Sequence, residues 1–295
     1  MNFLVVGHSV VDKIVVNKGT SIQPGGIFYS VISLLSQLEK EDRLFLCTAV
    51  DEANEKLFED YYQFVEKEFI SKVDSIPRVE LVIDGDGERK EIYSRISQSL
   101  TLPARNLSRF DGILINMISG YDLSISQLKE IRKNYSGLIY FDVHTLSRGV
   151  DENLARNFQR INNFCDWASC LNILQANEAE LSTLSEKDDE KQIVEELLSF
   201  QIEQVIITRA EKGATVFYKD GEVTKSIRKA ALNVDLVNKV GCGDVFGAVY
   251  FYNYIKNKNV FLALKQANLF AGISTTYTDT KDFLNLKIDG NKYTS

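Results

Sequence analysis

Short apolar runs alternate with stretches of helical spacing along this chain of 295 residues. Several runs are apolar at consecutive positions, which is typical of strands buried on both faces of a sheet. Strands are predicted at residues 3–6, 44–49, 112–118, 138–143, 170–174 and 204–208, and helices at residues 27–38, 124–133, 151–164 and 188–200. The alternation predicts an α/β fold with a mainly parallel central sheet and helices on both faces.

Two segments interrupt this alternation, because their residues are β-prone and alternating and no helix follows them. They are Lys13–Gln23 and Val79–Ser97, and the second contains the turn-forming run Asp84-Gly85-Asp86-Gly87. A hairpin is therefore predicted in the second segment. We expect one domain over residues 1–295, in which a small β-sheet from about residues 13–24 and 78–98 stands off the main sheet.

The charge balance, 34 Lys and Arg against 41 Asp and Glu, gives a net charge of −7. It argues against a nucleic-acid-binding face, which needs clustered positive charge. No apolar run reaches the ~18 residues of a membrane helix, and the first residues are typical of a strand rather than of a signal peptide. Four cysteines without a C-x-x-C pair are typical of reduced cytosolic thiols, and two histidines exclude an H-E-x-x-H zinc site. We expect a cytoplasmic protein without nucleic-acid or membrane partners.

The run Asn238–Ala248 contains two glycines around a small residue, followed by an acid where a helix is predicted to begin. Glycines allow close backbone approach, so the N–H groups of Gly241, Cys242 and Gly243 can point toward one anion, and a helix N-terminus adds positive charge there. Asp244 can accept a proton from an attacking hydroxyl group. The alternative is a tight turn in which Asp244 is an ordinary helix N-cap. Neither a P-loop nor a G-x-G-x-x-G fingerprint occurs in the chain.

The Gly241-Cys242-Gly243-Asp244 stretch resembles the C-terminal signature of the ribokinase-like (PfkB) carbohydrate and nucleoside kinases. Further landmarks follow the order of that family over roughly the full length of the chain, and the two β-segments without helices correspond to the family's lid. The landmarks are Gly7 and Asp12 after the first strand, Pro24-Gly25-Gly26 before the helix at 27–38, Asn177-Glu178-Ala179-Glu180 as N-x-x-E, Thr208-Arg209-Ala210-Glu211-Lys212-Gly213 as the nucleotide loop, and Asn268 in the penultimate helix.

The resemblance implies an ATP-dependent kinase that phosphorylates a hydroxymethyl group of a small sugar or sugar-like substrate. It implies that Asp244 is the general base and that the amides of Gly241, Cys242 and Gly243 form an anion hole. Substrate binding is then expected at Asp12, Gly25, Gly26 and Tyr29. ATP and Mg²⁺ binding are expected at Asn177, Glu180, Thr208, Arg209, Gly213 and Asn268, with Glu180 reaching the metal through water.

Two other functions and two assembly states stay open at this point. One alternative is a nucleoside kinase of the adenosine kinase type. The other is a non-catalytic protein that keeps the fold and binds a sugar or a nucleotide. The chain is expected to be a monomer or a homodimer joined through the lid.

The chain departs from the family pattern at several positions. Asn238 replaces the first Asp of the late signature and cannot supply its negative charge, which argues against a monovalent-cation site there. Lys239 either places a positive charge beside the phosphates or points to solvent. Ala210 stands where the nucleotide loop has glycine, which disfavours a positive φ. Tyr29 either stacks on a sugar or base, or belongs to the buried stripe of its helix.

Two more groups of residues allow two interpretations each. His144 and Arg148 follow the strand at 138–143, at an edge that often borders the ligand crevice, and the alternative is a surface or capping role. Arg89, in the predicted lid, either reaches a ligand or is an exposed hairpin residue. Cys242 is expected to be a small residue in a crowded turn, because a reactive thiol needs an adjacent base.

Overall fold

The structure is a computed structural model that describes residues 1–16, 19–82, 90–96, 98–103 and 106–294. The predicted turn Asp84-Gly85-Asp86-Gly87 and Arg89 lie outside these residues. The strands are β1 (Asn2–Val6), β2 (Ser9–Val16), β3 (Gly19–Gly26), β4 (Arg43–Val50), β5 (Ile70–Lys72), β6 (Arg78–Val82), β7 (Lys90–Arg95), β8 (Gly112–Asn116), β9 (Leu138–Asp142), β10 (Arg148–Val150), β11 (Arg156–Phe158), β12 (Ile173–Asn177), β13 (Gln204–Thr208), β14 (Ala214–Asp220) and β15 (Val223–Lys229). The helices are α1 (Phe28–Gln37), α2 (Glu55–Tyr62), α3 (Ile125–Asn134), α4 (Phe164–Ala168), α5 (Glu178–Leu181), α6 (Glu190–Ser199), α7 (Cys242–Asn257), α8 (Val260–Ser274) and α9 (Leu286–Thr294).

The larger sheet is mainly parallel, as the alternation of apolar runs and helices predicts. Within the described residues it contains nine strands in the order β15-β14-β13-β12-β9-β8-β1-β4-β5. All neighbours from β13 to β5 are parallel, and β14 and β15 add an antiparallel edge. Strand β8 is buried at all five positions, which explains its continuous apolar run.

The smaller sheet is formed by the segments without helices and has the strand order β3-β2-β6-β7. β2 and β3 pair as an antiparallel hairpin, β6 lies parallel to β2, and β7 is antiparallel to β6. The first of these strands begins at Ser9, earlier than the predicted boundary at residue 13. The predicted fold class, a parallel α/β sheet with a small separate sheet, is therefore confirmed.

The helices form two packed groups. Helices α1, α7 and α8 pack side by side, and α9 contacts both α8 and α1, while α3 and α4 pack against each other. Helix α7 is buried around most of its circumference, with nine buried residues in sixteen, so its N-terminus is held rigidly in place. In the part of the chain that the structure describes, no helix combines the length and the apolar character needed to cross a bilayer.

The helix predicted at residues 151–164 is wrong. This segment contains β11, which pairs with β10 as a hairpin, and a helix begins only at Phe164. Leu154 has φ 59°, in the left-handed region that a helix does not tolerate. The hairpin is held by contacts with residues distant in sequence. Tyr93 of β7, for example, donates its backbone N–H to Leu154 O at 2.9 Å. Apolar spacing alone does not report such contacts.

The strand predicted at residues 170–174 is displaced toward the C-terminus. The N–H groups of Cys170 and Leu171 donate to Trp167 O and Ala168 O, in the turn that ends α4. The strand therefore begins at Ile173. Its last residue is consequently Asn177, at the sheet edge where the functional residues lie.

Candidate active site

Polar residues lie at one edge of the larger sheet, on three neighbouring strands. Asn116 ends β8, Asp142 ends β9, and the two are paired in register. Gln175 of β12 pairs with Asp142 on the other side. The direction in which strands are added to the sheet reverses between β1 and β8. After β1, the chain first adds β4 on one side of β1, and later adds β8 and then β9 on its other side. Ligands of α/β proteins bind outside the carboxyl ends of strands at such a reversal.

Helix α7 begins at this edge. Gln175 Nε2 donates to Gly243 O at 3.1 Å and so attaches the first turn of the helix to β12. Gly241, the residue before the helix, has φ 78°, a left-handed conformation that favours glycine. The amide of Cys242 donates to Lys239 O over a long distance of 3.4 Å. Because first-turn amides have no intrahelical acceptor, this turn presents N–H groups and the positive end of the helix dipole.

Asp244 lies in the first turn of α7 and is not its N-cap, which is Gly241. Its Oδ1 accepts a hydrogen bond of 2.5 Å from Asn116 Nδ2. The residue borders a cavity of about 50 Å³ between the smaller sheet and the carboxyl edge of the larger one. The cavity is lined by Val10, Asp12, Gly26, Tyr29, Val79, Leu81, Glu91, Tyr93, Ile118, His144, Thr145, Arg156, Val240, Gly241 and Asp244.

The residues expected to bind substrate meet at this cavity. Asp12 is 5% exposed and lines it. A Cβ on Gly25 would lie 2.1 Å from the Asp12 carboxylate, so only glycine leaves room for that side chain. Gly26 has φ 63°, and a Cβ there would lie 2.4 Å from His8 O. Tyr29 borders the same cavity and is 3% exposed, so it belongs both to the buried stripe of α1 and to the site.

A charged network connects the smaller sheet with the end of β12. Arg156 lies 4.2 Å over the ring of Tyr93, donates to Ile118 O, and is 3.6 Å from Glu91 Oε2. Arg148 lies between Glu91 Oε1, at 3.4 Å, and Glu180 Oε1, at 3.7 Å. The β10–β11 hairpin supplies both arginines, so the segment that was predicted as a helix contributes to the site.

Buried acidic groups at the ends of β9 and β12 perturb one another. Burial raises the pKa of Asp142 well above the usual range of a carboxyl group; His144 opposes the shift, and Glu180 and Asp244 add to it. For His144, burial works to lower the pKa, but the neighbouring carboxylates of Glu180, Asp244 and Asp142 raise it to about 9. His144 is therefore a cation at neutral pH, 24% exposed and at the border of the cavity.

The residues expected to bind the nucleotide lie outside the lining of that cavity. Asn177 and Thr208 pair in register at the ends of β12 and β13. Gly213 and Asn268 meet at one carbonyl group, Lys229 O, which accepts from Asn268 Nδ2 at 3.3 Å and would lie 2.0 Å from a Cβ on Gly213. Arg209 is held by two carboxylates, those of Glu178 and Glu190, each at 2.6 Å.

Several predicted departures have a structural counterpart. Ala210 adopts φ 47°, so the loop keeps a glycine-like backbone although its residue has a Cβ. Asn238 Oδ1 accepts from Val240 N at 2.9 Å and thereby holds the turn before α7. Cys242 is half-buried in this turn, as expected for a small residue in a crowded position.

Glu180 has little room for direct metal binding. Its Oε2 accepts from Asn177 N at 2.8 Å, and its Oε1 lies 3.8 Å from His144 Nδ1 and 3.7 Å from Arg148 Nη2. The oxygen of the Asn177 side chain accepts in turn from Glu180 N. Over the described residues, no three His, Cys, Asp or Glu side chains are grouped to hold a metal ion.

Two residues of the site, Asn116 and Gln175, were missed by the sequence analysis. Gln175 Nε2 donates to Asp142 Oδ2 at 2.7 Å, and Gln175 Oε1 accepts from Tyr140 OH. Both residues are polar positions inside otherwise apolar strand patterns, near the carboxyl end. Such an interruption is the signal that would have identified them, since this edge borders the ligand crevice.

Part of the chain is similar in sequence to known carbohydrate kinases. A model of the pfkB family of carbohydrate kinases matches residues 147–286. A deoxyribokinase of Salmonella typhi is 34% identical over 80 residues, which are 27% of this chain and 25% of the relative. The chain therefore matches only about a quarter of the length of this curated relative.

Solved structures match the chain over nearly its full length. The ribokinase of Thermotoga maritima has a TM-score of 0.79 at 19% identity, covering 99% of this chain and 98% of its own. A nucleoside kinase of Burkholderia thailandensis, solved with inosine, has a TM-score of 0.76 at 13% identity, covering 99% and 97%. At these identities the likeness concerns the fold. The chain thus has the ribokinase-like fold throughout, and its residues 147–286 match the sequence pattern of the pfkB family of carbohydrate kinases.

Proposed function

We propose that this protein is an ATP-dependent kinase that phosphorylates a hydroxymethyl group of a small, neutral sugar or polyol. One observation carries the proposal: Asp244 lies in the first turn of α7 and also borders the cavity that Asp12, Gly26 and Tyr29 line. A carboxylate at this place is beside both an acceptor and a group of backbone N–H donors. Phosphoryl transfer from a nucleotide to an alcohol needs these two elements.

Asp244 acts as the general base. Asp12 accepts a hydrogen bond from one acceptor hydroxyl and holds the hydroxymethyl group toward Asp244. As the acceptor oxygen forms its bond to the γ-phosphorus, the proton of that hydroxyl moves to Asp244, and the bond between this phosphorus and the oxygen of ADP breaks. A positioned base typically contributes a factor of about 10² to 10⁴.

The first turn of α7 stabilises the transferring group. Charge on the equatorial oxygens is met by the amides of Gly241, Cys242 and Gly243 and by the positive end of the helix. His144, a cation that borders the same cavity, adds further positive charge. These groups offset the repulsion that a chain of net charge −7 exerts on a polyphosphate.

Thr208, Arg209, Gly213, Asn177 and Asn268 are proposed as the ATP side of the site. They lie at the ends of β12 and β13, in the loop after β13 and on α8. Because the oxygens of Glu180 are already engaged, the described residues do not fit a direct Mg²⁺ site. Mg²⁺ bound with ATP would therefore be held by the donor phosphates and would meet Glu180 only through water.

The charges of the cavity favour a neutral acceptor. Among the described residues, the carboxylates of Asp12, Glu91 and Asp244 and the cations Arg156 and His144 border it. Carboxylates are good acceptors for the hydroxyl groups of a neutral sugar or polyol. A volume of about 50 Å³ has room for about one or two water molecules. The smaller sheet therefore opens to admit the acceptor and closes over it, as a lid does.

The test is ADP formation with Mg²⁺ and ATP against a panel of neutral pentoses, hexoses and polyols, with sugar acids and nucleosides as separate arms. The proposal predicts that a neutral sugar or polyol gives ADP and phosphorylated product in equal amounts. If only nucleosides are phosphorylated, the protein is a kinase but the proposed class of acceptor is wrong. ADP formation that no acceptor stimulates would overturn the proposal.

A non-catalytic binding protein of the same fold is the second candidate. The tight hold on Arg209 by Glu178 and Glu190, together with the changes at Asn238 and Ala210, favours it. It predicts that a sugar or nucleotide raises the melting temperature while no member of the panel yields ADP. Measuring both quantities on the same samples separates the two functions.

A further inference from the structure

We propose that Asn116 is a positioning residue that orients the carboxyl group of Asp244 for proton abstraction by donating a hydrogen bond to it. This inference rests on the proposed kinase function. It concerns a residue that lies outside the family signatures and acts on the substrate only through Asp244.

Asn116 is placed with little freedom. It ends β8, is 1% exposed, and its backbone is in register with Asp142 of the next strand. The backbone of Asn116 also lies close to Gly7 of the preceding region of the chain. A Cβ on Gly7 would lie 2.8 Å from Asn116 O. The side chain therefore leaves the sheet at the reversal of winding, in a fixed direction, toward the start of α7.

The amide of Asn116 connects the two halves of the site. Its Nδ2 donates to Asp244 Oδ1 at 2.5 Å and to Ser30 Oγ at 3.3 Å. Ser30 lies in α1, directly after Tyr29, whereas Asp244 lies in α7. One side chain thus fixes the carboxylate relative to the helix that follows the two acceptor glycines.

The orientation of this amide follows from the charge of its partner. Turning the amide over would place Asn116 Oδ1 about where Nδ2 is now, against an ionised oxygen of Asp244, and two acceptors repel each other. In the observed orientation Oδ1 is buried and has no hydrogen-bond partner among the described residues. A buried carbonyl oxygen without a partner is unfavourable. In this orientation Asn116 Oδ1 lacks a hydrogen bond from any described residue, while Asn116 Nδ2 donates to Asp244.

The hydrogen bond from Asn116 acts on a carboxylate that shares its cavity with other charged groups. The carboxylates of Asp12 and Glu91 and the cations His144 and Arg156 border the same cavity. A hydrogen bond to the ionised form of a carboxyl group favours that form. The donor from Asn116 also fixes the direction of the carboxylate.

The first test replaces the donor without changing the shape of the side chain. Asn116→Asp puts a second carboxyl group against Asp244, so the pair shares a proton and the acidic limb of the kcat/KM profile moves up by about one pH unit or more. The matched control is Gln204→Glu, the same exchange at a buried amide at the opposite end of the sheet, where Tyr250 OH donates to Gln204 Oε1 at 2.6 Å. The control keeps the wild-type pH profile. An unshifted acidic limb in Asn116→Asp would overturn the inference.

The second test is a double-mutant cycle, which does not depend on whether Asn116→Asp folds. Asn116→Ala lowers kcat roughly 10- to 100-fold, within the range of a misplaced general base, with both KM values within about threefold of wild type. Adding Asn116→Ala to Asp244→Asn lowers kcat no further, because the amide acts only through the carboxylate. Additive losses would show that Asn116 supports the fold and not the base. If the wild-type chain phosphorylates nothing, the proposed function has failed, whereas wild-type turnover with additive losses contradicts only this inference.

Discussion

The ring of Tyr29 occupies the space in which a side chain on Gly241 would begin. A Cβ on Gly241 would lie 2.3 Å from Cγ of that ring. Tyr29 belongs to the helix that follows the acceptor glycines, and Gly241 precedes the helix that carries Asp244. The contact therefore fixes the turn proposed to bind phosphate against the side of the cavity proposed to hold the acceptor.

The two glycines of this turn are expected to respond differently to one added methyl group. Gly241→Ala requires a left-handed alanine, which costs about 1 to 2 kcal/mol, and it also displaces Tyr29. We expect a lower free energy of unfolding by at least that amount and a strong loss of kcat. Urea denaturation and steady-state kinetics measure both.

Gly243→Ala is the matched control, since a Cβ there has its nearest atom, Gln175 Nε2, at 4.0 Å. Its stability stays unchanged or rises by up to about 1 kcal/mol, as alanine favours a helix. The added methyl group nevertheless stands beside the amides proposed to hold phosphate, so the KM for ATP rises. Equal stability losses in both variants would contradict the described turn.

Gly25→Ala is expected to act on acceptor binding, because a Cβ there would lie 2.1 Å from the carboxylate of Asp12. The displaced carboxylate no longer orients the acceptor, so we expect the acceptor KM to rise at least tenfold while the KM for ATP stays the same. Gly221→Ala is a suitable control, since Gly221 has φ 61° and no atom within 4 Å of a Cβ. It lowers stability through backbone strain alone. A wild-type acceptor KM in Gly25→Ala would refute the role of Asp12.

The stability of the protein is expected to fall between about pH 6.5 and 9 because of His144. The neighbouring carboxylates of Glu180, Asp244 and Asp142 raise the pKa of His144 to about 9 against the opposing effect of burial, whereas in the unfolded chain the pKa is near its ordinary value. The folded state holds one more proton in this range, so its stabilisation is complete below pH 6.5 and is lost as the pH rises through 9. His144→Gln removes this part of the slope. Urea denaturation from pH 6 to 9 compares the two proteins, and parallel curves would rule out the raised pKa.

Sequence reasoning located most strands but not all the groups of the site. The strand at 204–208 was predicted to the residue, because four buried positions in a row precede its last residue, and the three central ones, Val205, Ile206 and Ile207, are apolar. The hairpin at 148–158 was mistaken in part for a helix, since its conformation depends on the left-handed Leu154 and on contacts with Tyr93. Arg148 and Arg156 thereby reach Glu91 only through tertiary structure.

The glycine-rich turn before α7 could be predicted because its chemistry is local. Gly241, Gly243 and Asp244 are neighbours in the chain, and a helix start after them brings amides and a carboxylate together. Asn116 is 128 residues away from Asp244, and only the order of the parallel strands brings them into contact. A pattern search along one sequence has no means of registering that contact.

The most direct measurement compares wild-type protein and Asp244→Asn for phosphate transfer and for binding in the same solution. The amide keeps the size of the side chain but removes the base, so we expect calorimetric binding of ATP and acceptor to persist while product formation falls by about 10² to 10⁴. Mass spectrometry of the acceptor counts the transferred phosphoryl groups. An Asp244→Asn protein that phosphorylates the acceptor at close to the wild-type rate would contradict the account.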